Sequence, residues 1–184
     1  MNKVNARVFI PLTNGGVTVI GICDWDKVAG FRWAESKAKN RRSGYVIARL
    51  VARVDRKLKI VEPNIISLHR FIMSFPKDQF VDHIDGDTLN NTRPNLRIVT
   101  ARQNTINSRK IRNINKIFPS SVFKGVTKRE RGITAFESHI TVNGKYKYLG
   151  RYKLEIDAAR SYDKAALKYF GEYARLNFNR SDYI

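Results

Sequence analysis

The first half of the chain alternates short apolar runs with residues typical of turns. Residues 8–12 and 17–22 are apolar and flank a Thr-Asn-Gly-Gly sequence, which predicts a β-hairpin. A short helix is expected to follow and to run toward Trp33. Residues 45–54 alternate as a strand does, and the next apolar run predicts a partner strand over residues 57–61. The pattern therefore predicts a β-rich N-terminal part.

A helix is predicted after these strands. Asn64 is expected to cap it, because Asn accepts hydrogen bonds from the first amides of a helix. Ile65, Leu68 and Ile72 follow at helical spacing and form one apolar stripe.

A strand, a loop, a second strand and a helix are predicted in direct succession from residue 80. Residues 80–84 and 96–99 are short apolar runs, and the stretch between them is rich in Asn, Asp and Gly, which end strands. Thr100 and Gln103 have the spacing of a capping box, which opens a helix.

The C-terminal part predicts a three-stranded antiparallel sheet covered by one helix. The strands are expected to begin at residue 123 and to continue over residues 134–142 and 145–152, with Asn143-Gly144 as a tight hairpin turn. A two-residue turn pairs Thr141 with Tyr146 and His139 with Tyr148, so these side chains share one face of the sheet. An alanine-rich helix over residues 155–170, ended by Gly171, is expected to pack on the other face.

Composition indicates a polyanionic partner. The 184 residues include 35 Lys and Arg against 16 Asp and Glu, a formal net charge of +19. Each phosphate that such a protein neutralises releases counterions, which favours nucleic-acid binding. A merely soluble cationic protein is the alternative. A disordered basic tail is excluded, because a hydrophobic content of 42% is enough for packed cores.

Cysteine and histidine are scarce. Cys23 is the only cysteine and there are three histidines, which excludes a disulfide framework and a Cys-rich zinc finger. No apolar run approaches the length of a membrane span, and the N-terminus lacks the pattern of a signal peptide. We therefore expect a soluble, unprocessed protein of a reducing compartment, the cytoplasm, without a membrane partner.

A polar, basic and aperiodic stretch divides the chain. It predicts one domain over residues 1–108, a linker over residues 109–121 and a second domain over residues 122–184. The linker is either an extended arm that follows DNA phosphates or an inert tether, and both interpretations stay open. Its candidate phosphate-binding residues are Arg109, Lys110 and Arg112.

Candidate catalytic residues are concentrated where the predicted strand over residues 80–84 meets the Asn-rich loop. Asp82 and His83 are neighbours on that strand and therefore point to opposite faces. A carboxylate on one face can hold a metal ion, while the imidazole on the other meets the nucleophile. Asn104, one turn into the following helix, offers a side-chain oxygen that could complete the metal site.

This arrangement resembles the HNH endonucleases, whose ββα-metal fold carries an Asp-His pair, an Asn before the second strand, and a His or Asn on the helix. The resemblance implies that Asp82 and Asn104 are metal ligands and that His83 is the general base. It also implies that Asn95 pins the loop and orients His83. The chain departs from the eponymous motif at Asn104, as phage and intron homing members do.

Several neighbouring residues have competing interpretations. A Leu-His-Arg sequence also precedes the Asp-His strand in the homing enzymes; we interpret His69 as structural and Arg70 as a candidate for a scissile or neighbouring phosphate. Asp-Gly-Asp at residues 85–87 looks like a calcium loop, but the rest of that twelve-residue pattern is absent. Asn90 and Asn91 are interpreted as loop chemistry alone.

The second domain resembles the AP2 domain of plant transcription factors, which lays a three-stranded sheet in the DNA major groove. The resemblance runs through Phe-Lys-Gly-Val at residues 123–126, Tyr-Leu-Gly-Arg-Tyr at 148–152 and Ala-Arg-Leu-Asn-Phe at 174–178. Because several DNA-facing positions differ from the plant pattern, plant sequence specificity does not transfer. The positions it implies for DNA contact are Lys124, Thr127, Arg129, Arg131, His139, Thr141, Tyr146, Tyr148 and Tyr162.

The sequence thus predicts an α+β protein, a ββα-metal HNH nuclease domain with a β-rich N-terminal extension, followed by an AP2-like domain. The predicted function is that of a phage-type homing endonuclease that hydrolyses phosphodiester bonds of double-stranded DNA. The oxygen donors of the implied ligands Asp82 and Asn104 favour Mg²⁺ or Mn²⁺ over zinc, and no small-molecule cofactor is expected. The alternatives are a DNA-binding regulator with a relic nuclease domain and, less favoured, an RNA-binding or RNA-cleaving protein.

Overall fold

The computed structural model describes residues 6–36, 44–49, 65–108, 121–129 and 135–183. The chain separates into two compact units, Met1–Asn104 and Thr105–Ile184. The predicted strand over residues 57–61 and most of the predicted linker lie outside the described residues.

The first unit begins with the predicted hairpin. Strands β1 (Arg7–Pro11) and β2 (Val17–Gly21) pair antiparallel. A short helix α1 (Trp25–Val28) follows and ends before β3 (Trp33–Glu35). The expectation that the helix extends toward Trp33 is therefore wrong beyond Val28. Trp33 is instead a buried strand residue, and its indole nitrogen donates to the carbonyl of Val28 at 3.0 Å.

A second small sheet has the order β3–β4–β5, with β4 at Val46–Arg49 and β5 at Ile65–Ser67. The helix predicted from residue 64 therefore begins later, as α2 (Leu68–Ile72), because residues 65–67 pair with β4 instead. Ile65 is half exposed and is not part of the helical stripe, whereas Leu68 and Ile72 are fully buried.

The predicted strand–loop–strand–helix unit is present. Strands β6 (Phe80–His83) and β7 (Leu96–Val99) pair antiparallel and are followed by α3 (Ala101–Ile106). The capping box is confirmed, since Gln103 Oε1 accepts from the Thr100 amide at 2.8 Å and Thr100 Oγ1 accepts from the Gln103 amide at 3.3 Å. The fold class predicted for this unit is consistent with these elements.

The second unit contains β8 (Val126–Arg129), β9 (Ala135–Val142), β10 (Lys145–Tyr152) and α4 (Glu155–Phe170), with sheet order β10–β9–β8. The first strand begins three residues later than predicted. Helix α4 packs its alanines and Tyr162 on the inner face of the sheet. In the described part of the chain, no helix combines the length and the apolar character needed to cross a membrane.

Candidate functional site

The loop between β6 and β7 is held by its own amide side chains. Asn95 Oδ1 accepts from the Asp85 amide at 3.1 Å, and its Nδ2 donates to Asp85 Oδ1 at 2.9 Å and to the Asn90 carbonyl at 2.8 Å. Asp85 also accepts from the Asp87 amide and from Asn90 Nδ2. Asn95 therefore bridges separate parts of the loop by hydrogen bonds, and the Asp85 carboxylate is engaged by N–H groups of the loop itself.

His83 ends β6 as a buried side chain, and its ring is held by Asn91 rather than by the residue expected for this task. The distance from His83 Nε2 to Asn91 Oδ1 is 3.2 Å. The Asn91 amide nitrogen donates to the Thr88 carbonyl at 3.1 Å and to Thr18 Oγ1 at 2.9 Å, so the amide oxygen faces the ring. Nε2 therefore donates, and Nδ1 is the unprotonated nitrogen of the neutral imidazole.

The interpretation of Asn91 as loop chemistry alone is wrong. Asn91 is 1% exposed, and a side-chain amide withdrawn from water this completely needs partners for its oxygen and its nitrogen. Nothing local in the sequence distinguishes Asn91 from Asn90, because its partners Thr18 and His83 lie on other elements.

His83 and His69 lie against each other. Their ring centroids are 5.2 Å apart, and Tyr45 stacks on His69 at 4.9 Å. Burial lowers the pKa of His69 from 6.5 to about 3, with the charge of His83 as a further cause. Burial also lowers the pKa of His83. Both rings are therefore neutral at neutral pH.

Asp82 points to the other face of β6 and is paired with Arg97 on β7. Asp82 Oδ2 accepts from Arg97 Nη2 at 2.9 Å and from Nε at 3.1 Å, and both side chains are largely buried. Asn104 lies half-buried in α3. Sequence reasoning missed Arg97, although an Arg directly across an antiparallel pair from an Asp is a recognisable signal.

The side chains that the resemblance implies as metal ligands, Asp82 and Asn104, are of a kind that suits a hard divalent cation. The described residues contain no group of three or more His, Cys, Asp and Glu side chains that could hold a metal. Mg²⁺ does not require such a cage, because it commonly binds through one or two carboxylates and the phosphate of its substrate. Asp82 and Asn104 offer oxygen donors only, which fits Mg²⁺ or Mn²⁺.

Arg70 makes structural contacts within the first unit. Its guanidinium donates to the carbonyls of Gln79 at 2.9 Å and Pro76 at 3.0 Å. A phosphate would have to share or replace these bonds. The phosphate-binding role of Arg70 stays a prediction.

The outer face of the second unit's sheet carries exposed aromatic and basic side chains. Tyr146 and Tyr148 are 61% and 56% exposed, and the His139 ring stacks on Tyr146 with centroids 5.3 Å apart. Thr141 is exposed beside Tyr146, and Thr127 lies half-buried on β8. This is the face that the predicted register assigns to DNA.

Glu137 connects the three strands on this face, a link that sequence reasoning missed. Its carboxylate accepts from Arg129 Nε and from Arg151 Nη2, both at 2.8 Å. These bonds, first from Arg151 and then from Arg129, lower the pKa of Glu137. The carboxylate therefore stays charged and holds two largely exposed guanidinium groups in place.

Two of the AP2-derived positions are more buried than expected. Tyr162 is 4% exposed in the core and burial raises its pKa, so its assignment to DNA contact is wrong for this structure. Its ring lies where a Cβ on Gly125 would collide with it. Lys124 Nζ donates to the carbonyls of Ile106 and Ser108 at 2.7 Å each. Burial, and then the charge of Arg175, lowers the pKa of Lys124 to about 8.

Four candidate DNA-binding residues lie outside the described residues. They are Arg109, Lys110, Arg112 and Arg131.

The nuclease-like unit has relatives among known proteins. A profile of the HNH endonuclease family matches residues 74–106. The chain is also 30% identical over 169 residues to an uncharacterized HNH endonuclease of Acanthamoeba polyphaga mimivirus. That alignment covers 89% of this chain and 75% of the viral protein.

The second unit is similar to parts of plant proteins. The chain is 48% identical over 64 residues to APETALA2-like protein 2 of Oryza sativa subsp. japonica, across 35% of this chain and 14% of the plant protein. It is 42% identical over 74 residues to an AP2-like ethylene-responsive transcription factor of Arabidopsis thaliana, across 35% of this chain and 17% of that protein. The chain therefore spans only a small part of these plant relatives.

Proposed function

Because this chain belongs to the HNH endonuclease family, it is a DNA endonuclease, and we propose that it is a metal-dependent, site-specific enzyme of the homing type. We also propose that its AP2-like sheet binds the duplex. The observation that carries the proposal is the buried His83, whose protonated Nε2 faces Asn91 Oδ1 and whose Nδ1 keeps the lone pair.

His83 is the general base of the proposed reaction. Nδ1 accepts a proton from a water molecule, and the resulting hydroxide attacks the phosphorus in line with the 3′-oxygen that leaves. The Nε2–H group keeps its bond to Asn91 Oδ1 in both the neutral and the protonated ring. Asn91 therefore supports the ring throughout the proton transfer, and Asn95 keeps the loop that carries it in place.

Asp82 and Asn104 are the proposed ligands of a Mg²⁺ or Mn²⁺ ion. When bound, the ion would supply stabilisation of the charge that develops on the phosphate and on the leaving oxygen. Arg97 on β7 donates to Asp82 Oδ2 and thereby holds the carboxylate in one orientation. Asp82 and His83 are adjacent on β6, so one strand carries both the metal ligand and the base.

The AP2-like sheet is the proposed reading surface for duplex DNA. Tyr146, Tyr148 and His139 are exposed or half-exposed on one face and would lie near base edges, whereas Arg129 would neutralise phosphate or contact a base beside them. Basic residues Arg109, Lys110 and Arg112 are proposed to add sequence-independent phosphate contacts. The proposal rests on the exposure and shared face of these side chains.

The test compares wild type with His83→Ala on host and phage DNA, with and without Mg²⁺. We expect discrete fragments from wild type with Mg²⁺ only. The His83→Ala variant should cut about 100-fold or more slower than wild type, the usual scale for loss of a general base, while DNA binding persists. Equal loss of binding and cleavage would remove His83 from this role. Binding by wild type without any cutting would favour the regulator with a relic nuclease domain.

A further inference from the structure

The N-terminal hairpin runs directly alongside the loop that holds His83. The amide of Val19 donates to the Leu89 carbonyl at 3.0 Å, and the amide of Asn91 donates to the Val19 carbonyl at 2.8 Å. Val19 and Asn90 form a parallel bridge. These backbone bonds bring the buried Thr18 side chain of β2 next to Asn91, although the two residues are 73 positions apart.

The Thr18 hydroxyl can bond its two partners in only one way: it donates to one and accepts from the other. Its single proton is donated to the Leu89 carbonyl at 2.7 Å, because a carbonyl can only accept. Toward Asn91, 2.9 Å away, Thr18 Oγ1 can therefore act only as an acceptor. Thr18 is 1% exposed, so water does not compete for these positions.

From this geometry we infer that Thr18 is a positioning residue for His83. Thr18 Oγ1 holds the Asn91 amide with its nitrogen turned away from the imidazole, and the Asn91 oxygen then selects the tautomer of His83 with the proton on Nε2. The catalytic half of the inference rests on the proposed role of His83 as general base. A reversed amide would present Nδ2 to the ring, favour a proton on Nδ1, and leave no lone pair there for the water.

The contribution of the Thr18 hydroxyl can be tested separately from the backbone contacts between β2 and the loop. The Val19 amide and carbonyl bonds do not involve the Thr18 side chain and remain in a Thr18→Val variant, which has nearly the same shape. The Asn91 amide then keeps the Thr88 carbonyl as its one acceptor. A role of Thr18 confined to holding the loop would leave the tautomer unchanged.

The experiment uses the full chain in four forms: wild type, Thr18→Val, Thr18→Ser and Ile20→Val. Ile20 is fully buried on the same face of β2, so Ile20→Val is a control for a small loss of packing. The measurements are the ¹⁵N NMR signals of the His83 ring at neutral pH, kcat and KM for DNA cleavage, and thermal unfolding.

We expect wild type, Thr18→Ser and Ile20→Val to show one tautomer, protonated at Nε2. Thr18→Val should show a mixture, with kcat lowered about tenfold, the lower end of what the loss of a hydrogen-bond partner behind a functional histidine costs. KM should be unchanged, because the DNA-binding surface is not altered. If Thr18→Val does not fold, Thr18→Ala is compared with Thr18→Ser in the same measurements.

A single Nε2-protonated tautomer in both Thr18→Val and Thr18→Ala would overturn the inference, whatever happens to the rate. A tautomer shift in Ile20→Val as large as in Thr18→Val would also overturn it, since packing would then be the cause. If wild type fails to cut DNA while the ring signals respond as expected, the positioning role holds and the proposed function of His83 fails.

Discussion

Asn91 and Asn95 lie in the same loop and perform different tasks. Asn95 uses its whole amide on the loop backbone and on Asp85, so it determines the shape of the loop. Asn91 uses its nitrogen on Thr18 and Thr88 and its oxygen on His83, so it orients the His83 ring. Each buried amide is satisfied at both ends, which is why neither can take over the role of the other.

Arg97 is expected to weaken metal binding in the DNA-free protein. Its guanidinium lies against the proposed ligand Asp82 in a largely buried pair, and its positive charge repels a second cation at the same carboxylate. Replacing it by Gln leaves a buried carboxylate without its counter-charge, which a metal ion can then neutralise. We predict that Arg97→Gln binds Mn²⁺ more tightly than wild type and gains more thermal stability when Mn²⁺ is added.

Electron paramagnetic resonance titration with Mn²⁺ measures this affinity. Arg93→Gln is the matched control, because Arg93 pairs with the buried Asp24 and not with Asp82. It should destabilise the protein without changing Mn²⁺ affinity. An Mn²⁺ affinity of Arg97→Gln equal to that of wild type would contradict the prediction.

His69 should make the first unit sensitive to acid. Its folded-state pKa is lowered from 6.5 to about 3, so between these values the unfolded chain binds a proton that the folded chain does not. The stability contribution is therefore complete above pH 6.5 and is lost as the pH falls toward 3, with a slope of at most about 1.4 kcal/mol per pH unit. The lowered pKa of His83 acts in the same direction.

Urea unfolding across this pH range tests the point. His69→Phe keeps a ring beside Tyr45 and His83 and removes the titrating group, so its unfolding free energy should depend less on pH than that of wild type. Carboxylates titrate in both proteins, and the comparison cancels them. Identical slopes for the two proteins would exclude His69 as a source of acid sensitivity.

At the scale of elements, the register of the β9–β10 hairpin is determined by its two-residue turn. Asn143 and Gly144 both have positive φ, 54° and 76°, which a two-residue turn of this kind requires and which Asn and Gly tolerate best. The turn determines the pairing, and the predicted pairs of Thr141 with Tyr146 and His139 with Tyr148 are confirmed. A register shift between Tyr148 and Gly150 then changes the pairing for the rest of β10.

Tyr146 and Tyr148, on the sheet face opposite α4, should contribute to the selection of the DNA site. Alanine at Tyr146 or Tyr148 removes an exposed side chain of the proposed reading surface, and one base contact is worth roughly 1–3 kcal/mol of discrimination. We predict a smaller difference in affinity between the cleaved site and random DNA. Binding is measured across a salt series, with Tyr169→Ala on α4 as the control. If both variants keep the full preference, the reading surface lies elsewhere.

Glu137 should increase specificity at the expense of general affinity. Its negative charge repels DNA, but it also holds Arg129 and Arg151 in fixed orientations. Glu137→Gln is therefore predicted to bind random DNA more tightly at low salt and to prefer the cleaved site less. The control is Glu155→Gln, which changes the net charge equally but alters a carboxylate on α4 that accepts from Ser121 Oγ. An unchanged preference in Glu137→Gln would contradict the positioning role.

At the scale of the whole molecule, the second unit has a core of its own. Helix α4 closes the sheet over Val126, Ile140 and the buried alanines. Asp163 on this helix accepts from the amides of Asn177 and Phe178 and from the Tyr183 hydroxyl, so the C-terminal segment is anchored to the same core.

A fragment of residues 119–184 should therefore fold alone and bind duplex DNA without cutting it. Circular dichroism with thermal unfolding tests the first expectation, and a gel-shift assay at low salt with a parallel cleavage assay tests the second. The separation is expected because Asp82, His83 and Asn104 are absent from the fragment. A folded fragment that does not bind at low salt would indicate a purely structural module.

Local interactions explain what the sequence by itself determined. The hairpin turn at Asn143, the bounds of α4 and the capping box at Thr100 depend on residues within a few positions of one another, so pattern and propensity suffice. The opposite faces of Asp82 and His83 were predictable for the same reason, since neighbours on a strand alternate in direction.

Only the tertiary structure decided which distant groups meet. Thr18 reaches Asn91 because β2 pairs with the loop, and residues 65–67 form a strand because β4 lies beside them. Tyr162 is buried because Gly125 leaves space for its ring. In each case the partner is far away in the chain, and burial removes the competing water. The energy of the contact therefore depends on packing that no local pattern contains.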